Sequence, residues 1–520
     1  MSSSPNVKKL PTPVRTTGAF DAQQRINDSS SPELVIALCG PLGTPLHRVA
    51  GVIAEQLEFQ HGYRKIMPIR LSDFIREHGK VGDYADIHQL IDAGNELRRT
   101  HGHSVLAQMS IKRIRQSRDA HSASEVDSRQ TDIFNGEKDG ILPAPVVRHC
   151  HVIDSIKNSD ELNLLRSVYG DLFHLISVYT PIDLRVQELK RRYPKIGDVY
   201  HLIDRDSGEE IKSGQSVRNV FPQADFFVRL AEGTDEQIRA SVKRYLDLVM
   251  GADIITPTPS ERAMYAAHSA ARNSACLSRQ VGASILDHTG EVISVGWNDV
   301  PRPFGGLYGE EEDQSDRASD HRCWNKDGGK CFNDDEKDEI AKKLAFALSD
   351  ADVIATGDID NVVEKLRRSR ELGGLIEFSR AVHAELHALL NAGRTAGAKI
   401  SGSRLFVTTY PCHSCARHII AAGIKEVRFI EPYRKSLATK LHADAMTEDE
   451  KETGKVRVLP FDGVAPTRFL KLFTENPQGR KNPDGKMVRR RNQHPVTAAP
   501  LEAITTLEAL AVKQLESTGL

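Results

Sequence analysis

Ser403-Arg404-Leu405-Phe406-Val407-Thr408-Thr409-Tyr410-Pro411-Cys412-His413-Ser414-Cys415-Ala416-Arg417-His418-Ile419-Ile420-Ala421-Ala422-Gly423 reads as a strand delivered into the first turn of a helix. Residues 403–409 carry the β-branched and aromatic side chains of a strand, Pro411 opens the helical run and Gly423 ends it. Cys412 and Cys415 lie three apart, so they share one face at the helix N-terminus, where the macrodipole favours thiolate over thiol. Upstream, His383-Ala384-Glu385 opens a second apolar helical run through Ala392. One imidazole and two thiolates suit zinc, and three protein ligands leave the fourth tetrahedral place to water, which a structural site would close with another Cys or His. His383, Cys412 and Cys415 are therefore the candidate metal ligands, with the Glu385 carboxylate beside the open place.

This His-x-Glu and Pro-Cys-x-x-Cys arrangement is the established signature of zinc-dependent nucleobase deaminases. Zinc lowers the pKa of its water from about 15.7 to about 7, and Glu385 is placed to take that proton and deliver it to the ring nitrogen as ammonia leaves. A closed zinc knuckle or a redox Cys-x-x-Cys is the bland alternative. A redox motif needs neither His383 nor Glu385.

At 520 residues the chain exceeds one ordinary core, and we read two domains. Lys+Arg 70 against Asp+Glu 71 leaves no net charge to drive bulk binding to nucleic acid or membrane. No apolar run approaches the ~20 residues needed to span a bilayer, and the N-terminus lacks a signal-peptide core, so a cytoplasmic protein with no membrane partner is expected. Seven cysteines suggest no disulfide framework, since two are committed to the metal.

Residues 1–32, rich in Ser, Pro and Thr, read as a disordered arm, with order beginning at Glu33. Residues 33–250 read as an α/β domain with a parallel sheet: Leu34–Cys39, residues 146–153 and residues 172–179 are apolar runs suited to buried strands, each followed by helix-forming sequence. Between them residues 117–140 are polar and read as a mobile insertion. Residues 257–475 form the second domain, with a helix over 260–278, a hairpin from Val281–Leu286 to Glu291–Trp297, the two metal-bearing helices and a strand at 427–430, together a three-layer α/β/α arrangement. Residues 476–520 read as a basic tail, with Lys486 to Arg491 as its charge run, and a short helix over 501–515 that docks on a partner or on the body.

Several signals carry two readings. Gly40-Pro41-Leu42-Gly43-Thr44 follows a strand and precedes a helix, as a phosphate loop does, yet Pro45 stands for the second glycine, Leu46 for the lysine and His47 for the hydroxyl residue. Backbone amides at Gly40, Gly43 and Thr44 can still approach a phosphate at the helix N-terminus; ATP hydrolysis, nucleotide binding without turnover and a structural loop all stay open. His321, Cys323 and Cys331 are a candidate second metal site, against two reduced thiols as the bland reading. His387 and His413 are substrate-side contacts or, more often for such residues, solvated histidines. Trp297 stacks on a base or fills the core. The arginines near 490 bind RNA or are solvated. Arg185, Arg191 and Arg192 form a phosphate-gripping lid or a surface helix.

Beyond the metal motif, Ser278-Arg279-Gln280-Val281-Gly282-Ala283, Gly296-Trp297-Asn298 and Thr409-Tyr410-Pro411-Cys412 resemble the ordered motifs of the deoxycytidylate deaminases over residues 257–435. The resemblance implies that Asn298 contacts the deoxynucleotide, that Ser278 and Arg279 lie near its phosphate end, and that the chain forms a homo-oligomer. Asp299 stands where that family often has glycine, which puts the usual nucleotide effector control in doubt. Leu71–Ile75, Gly94–Arg99 and Asp154–Leu165 resemble the N-terminal half of bacterial anti-phage deoxycytidylate deaminases of the AvcD/DcdV type, in which a P-loop nucleotide-kinase-like domain precedes a cytidine-deaminase-like one. Those proteins convert dCTP and dCMP to their uracil forms, and some are held inactive by a small noncoding RNA. Two rivals remain: a deaminase of cytosine or adenine in RNA or single-stranded DNA, and an RNA-binding regulatory protein with a decayed deaminase half.

Overall fold

The computed structural model describes residues 30–129, 148–193, 216–310, 319–487 and 495–517, except 65, 80, 83–85, 232–233, 327, 433–435, 476–478 and 498, and also residues 199 and 202–203. Nearly all of the N-terminal arm, the rest of the 117–140 insertion and most of the basic run around residue 490 lie outside these.

Strands β1 (Ser30–Ser31), β2 (Leu34–Cys39), β3 (Ile69–Arg70), β4 (Cys150–Asp154), β5 (Phe173–Tyr179) and β6 (Phe226–Arg229) precede residue 230. The last five form one sheet in the order β6-β5-β2-β4-β3, parallel throughout. Leu34–Cys39 is apolar at every position because helices cover both faces. Leu34, Ile36 and Leu38 pack with the Leu46–His61 and Asp235–Met250 helices. Val35, Ala37 and Cys39 join the core built by the Val105–Arg129 and Ser159–Tyr169 helices.

In the second half, β7 (Gly282–Leu286), β8 (Val292–Trp297), β9 (Arg404–Thr409), β10 (Glu426–Glu431), β11 (Met446–Thr447) and β12 (Val456–Pro460) make a mixed sheet ordered β11-β12-β10-β9-β7-β8. The β7-β8 hairpin is antiparallel to β9, while β9, β10, β12 and β11 run parallel. The Pro259–Ala271 helix covers one face and the Ala384–Ala396 and His413–Ala421 helices the other. At Gly282 the first helix approaches so closely that an added Cβ would meet Ala267 O at 1.9 Å.

The two halves share structure. Strand β13 (Gly463–Val464), after the second sheet, crosses over and pairs antiparallel with β6. Glu261, 1% exposed, accepts hydrogen bonds from Thr258 N and Val464 N and forms an ion pair with Arg244 of the first half. Strand β14 (Ala499–Pro500) pairs with β1.

Four local readings change. Ser30 and Ser31, read as part of the arm, form β1, because β14 supplies their partner. The Val105–Arg129 helix takes in residues 117–129 of the segment read as an insertion. There Arg118, 9% exposed, reaches both Glu33 and Glu508, partners whose distance along the chain hides them from any local pattern. The 260–278 helix stops at Ala271, since Asn298 and Asp299 hold the following segment in a turn. The helix near the C-terminus, Leu501–Ser517, docks on the Val105–Arg129 and Ser159–Tyr169 helices through Ile504, Val512 and Leu515, so it belongs to the first core.

Candidate active site

Pro411 and the N-cap Cys412 start the His413–Ala421 helix at the end of β9, and His383 is the N-cap of the Ala384–Ala396 helix. These two helix starts face each other. His383 Nδ1 lies 3.3 Å from Cys412 Sγ and 3.4 Å from Cys415 Sγ. Ligands on a tetrahedral zinc with Zn–N near 2.05 Å and Zn–S near 2.3 Å stand about 3.6 Å apart, so the donor set and spacing fit that ion. Among the described residues this is the one trio of His, Cys, Asp and Glu whose ligand atoms all fall within 4.8 Å.

The site is tuned by burial and by its own charges. Cys415 hydrogen-bonds to Cys412 and, with His383, holds the Cys412 thiol down to about 4, while Cys415 itself is pushed well up. The hydrogen bond with Cys412 raises His383 to about 9. Glu385 is 4% exposed, and burial, reinforced by the Cys412 charge, lifts its carboxyl to about 7. A carboxyl near neutrality can both accept and donate a proton at working pH, as acid–base catalysis requires. When bound, zinc supplies a water of lowered pKa there.

Other predicted residues fall as follows. Asn298, 7% exposed, spends its amide on the protein: Oδ1 accepts from Val281 N and Nδ2 donates to Arg279 O. Asp299 accepts from Ala275 N. Together they fasten residues 275–281, which present exposed Ser278 and Arg279. Arg279 Nη1 stands 3.3 Å from Glu431 Oε2, at the end of β10. His387 is buried and not solvated: its ring meets Trp297 N and O and Asn391, and packs edge-on against the Trp297 indole at 4.7 Å. Trp297 is thus committed to this helix–hairpin contact. His413 Nε2 lies 3.4 Å from Glu377 Oε1. Glu377 and Glu431 were not singled out in the sequence, because each meets a partner distant along the chain.

Gly296 seats the hairpin on the Ala384–Ala396 helix. A Cβ there would stand 2.3 Å from Ala388 N and 2.5 Å from Ala384 O, both on rigid backbone. Gly296→Ala is expected to cost about 1–3 kcal/mol as the helix is pushed away and to lower turnover by moving Glu385. Denaturant unfolding and ammonia release on one preparation check both effects.

His321, Cys323 and Cys331 do not gather as metal ligands. His321 is exposed and packs edge-on to Tyr308, while Cys323 and Cys331 line a cavity with Cys276 and Ser278. The Gly40–Thr44 loop also departs from a phosphate cradle. Thr44 N and Leu46 N donate to Pro41 O and Thr44 O, and Pro45 has no N–H to give. Its glycines serve packing: a Cβ on Gly40 would meet Val178 O at 2.9 Å, and one on Gly43 would meet Arg185 O at 2.7 Å. Arg185 is buried and bonded to Thr180 O and Leu42 O, which removes it as a lid.

Comparison with known proteins agrees with this geometry. Residues 257–431 match the family model for the cytidine and deoxycytidylate deaminase zinc-binding region. The deoxycytidylate deaminase of Enterobacteria phage T2 is 29% identical over 171 residues, covering 33% of this chain and 78% of its own length. That of Mus musculus is 34% identical over 110 residues, 21% of this chain and 53% of its own. The crystal structure of dCMP deaminase from cyanophage S-TIM5 with dCMP and dUMP aligns at 21% identity over 40% of this chain and 99% of that one, with a TM-score of 0.22, too low to bear on the fold. The chain thus carries, across residues 257–431, a cytidine and deoxycytidylate deaminase zinc-binding region.

Proposed function

We propose that this protein hydrolytically deaminates free deoxycytidine nucleotides, dCTP, dCMP or both, to their uracil forms. The His383–Cys412–Cys415 triangle with Glu385 buried beside it carries this reading. Ser278 and Arg279 on the fastened loop suit the phosphate end of a mononucleotide. Depletion of the deoxycytidine pool in anti-phage defence is the proposed role, in a homo-oligomer, with output set through the N-terminal unit or an inhibitory small noncoding RNA. Among the described residues no helix is long and apolar enough to cross a membrane.

Control through the N-terminal unit has a physical route. Tyr410, the residue before Pro411-Cys412, donates its hydroxyl to Glu448 at 2.8 Å. Glu448 also acts on the phenol of Tyr179, at the end of β5: burial raises both phenols and the Glu448 charge adds to it. Arg229, ending β6, pairs with Glu450. These contacts support the proposal that a shift at the carboxyl edge of the first sheet reaches the peptide entering the metal helix.

Ammonia release should be seen with dCMP or dCTP and not with a cytosine oligonucleotide. A chelator should abolish it, and stoichiometric zinc should restore it. Turnover confined to the oligonucleotide would establish the polynucleotide reading instead.

A further inference from the structure

Arg279, which suits the phosphate end of the substrate, is met by a carboxylate that the deamination reading leaves without a task. Glu431 closes β10 opposite Thr409, three residues before Cys412. Both main chains are fixed there: Glu431 O accepts from Tyr410 N at 2.7 Å, and Arg279 O accepts from Asn298 Nδ2 at 2.8 Å. The side chains are held less firmly. Arg279 Nη1 stands 3.3 Å from Glu431 Oε2, with 51% and 44% of the two side chains exposed, farther than the about 2.7–2.9 Å of a charge-assisted hydrogen bond. The buried pair of Arg98 and Glu161 is of another kind, 2.8 Å apart with 2% and 0% exposed. An exposed pair of long side chains holds weakly, whereas a phosphate offers a guanidinium two parallel charge-assisted bonds. A phosphate arriving at Arg279 therefore displaces Glu431. The carboxylate then has another partner at hand, since the Thr409 hydroxyl, on a residue 8% exposed, lies 3.5 Å from the same Oε2.

We propose that Glu431 is an internal competitor for the substrate phosphate: it occupies Arg279 in the empty site, yields it to the nucleotide and reclaims it as product leaves. This rests on the deamination reading and adds to it a positioning residue that acts through Arg279. Nucleotide affinity is held below what Arg279 alone would give. Product keeps the substrate's phosphate, so the same carboxylate helps to expel it. A nucleoside without phosphate offers Arg279 nothing in exchange, and the pair stays closed against it.

Calorimetric titration of the zinc-loaded full chain with the products dUMP and dUTP reads this competition without turnover, beside ammonia release from dCMP and dCTP. We expect Glu431→Gln to bind product about two- to fivefold more tightly than wild type, and KM to fall by a similar factor while kcat moves less. Affinity in the variant should also fall more steeply with added salt, because its Arg279 enters the complex without a carboxylate partner. Glutamine can still accept a hydrogen bond from Arg279, so Glu431→Ala is measured too and should shift affinity in the same direction. Arg279→Ala should weaken binding, and adding Glu431→Gln to it should change nothing further, the mark of two residues acting through one contact. Unchanged affinity in both Glu431 variants, or tightening that persists without Arg279, overturns the role of Glu431, while wild-type turnover of dCMP or dCTP upholds deamination. A wild type that neither turns over those nucleotides nor binds their products overturns both.

Discussion

Glu385→Gln is expected to lower ammonia release by about 10²–10⁴-fold while leaving zinc at one equivalent per trio. Glutamine keeps the size and polarity of the buried side chain but cannot take a proton, so the loss isolates proton transfer from folding and from metal binding. No neighbour can stand in. The His387 imidazole, two residues on, is held by Trp297 and Asn391. His383 and both cysteines are the proposed metal ligands. Rates on dCMP and dCTP measured beside zinc content decide the matter, and a residual rate within tenfold of wild type would remove Glu385 from the proton path.

The largest stability effect is expected far from that site, at Arg118. Its guanidinium bridges Glu33 and Glu508 at 2.6 Å each, and Tyr169 donates its hydroxyl to Glu508 at 2.9 Å. Glu33 is 3% exposed and Glu508 0%. Arg118→Ala leaves two buried carboxylates without their cation, which costs about 3–5 kcal/mol. Acid should reveal the same network. Burial alone would raise Glu33, yet the His151 ring 3.4 Å away and the hydrogen-bonded Arg118 guanidinium bring it from 4.5 down to about 2. A depressed carboxyl stabilises the fold above its unfolded value, and that contribution fades as pH falls from about 4.5 toward 2. Urea unfolding of wild type and Arg118→Ala across this range should show a shallower acid loss in the variant. Equal slopes would mean that Arg118 does not hold Glu33 ionised.

What was legible in the sequence was whatever repeats locally. The alternating residues of β7 and β8 around the turn at 287–290, the unbroken apolar run of β2 and the three-residue spacing of Cys412 and Cys415 each state their own geometry. What was hidden depends on partners far along the chain. Strand β13 is two residues long and has no period to read, so its place beside β6 could not be seen. Arg118 stands in a stretch that looks like loop because its partners, Glu33 and Glu508, are far along the chain. Asn298 lies in a motif that suggests ligand contact, but which way its amide turns is decided by Val281 and Arg279. His387 looked solvated because nothing in its neighbours along the chain announces the Trp297 backbone.

The docking of Leu501–Ser517 against the first core also orders the life of the chain on the ribosome. Residues 34–39 are made before residues 257–475, and Ile504, Glu508, Val512 and Leu515, which close the same core, after them. The first core must therefore wait, incompletely covered, through synthesis of the whole second sheet, and a message cut short anywhere between the two yields a protein whose first core never closes.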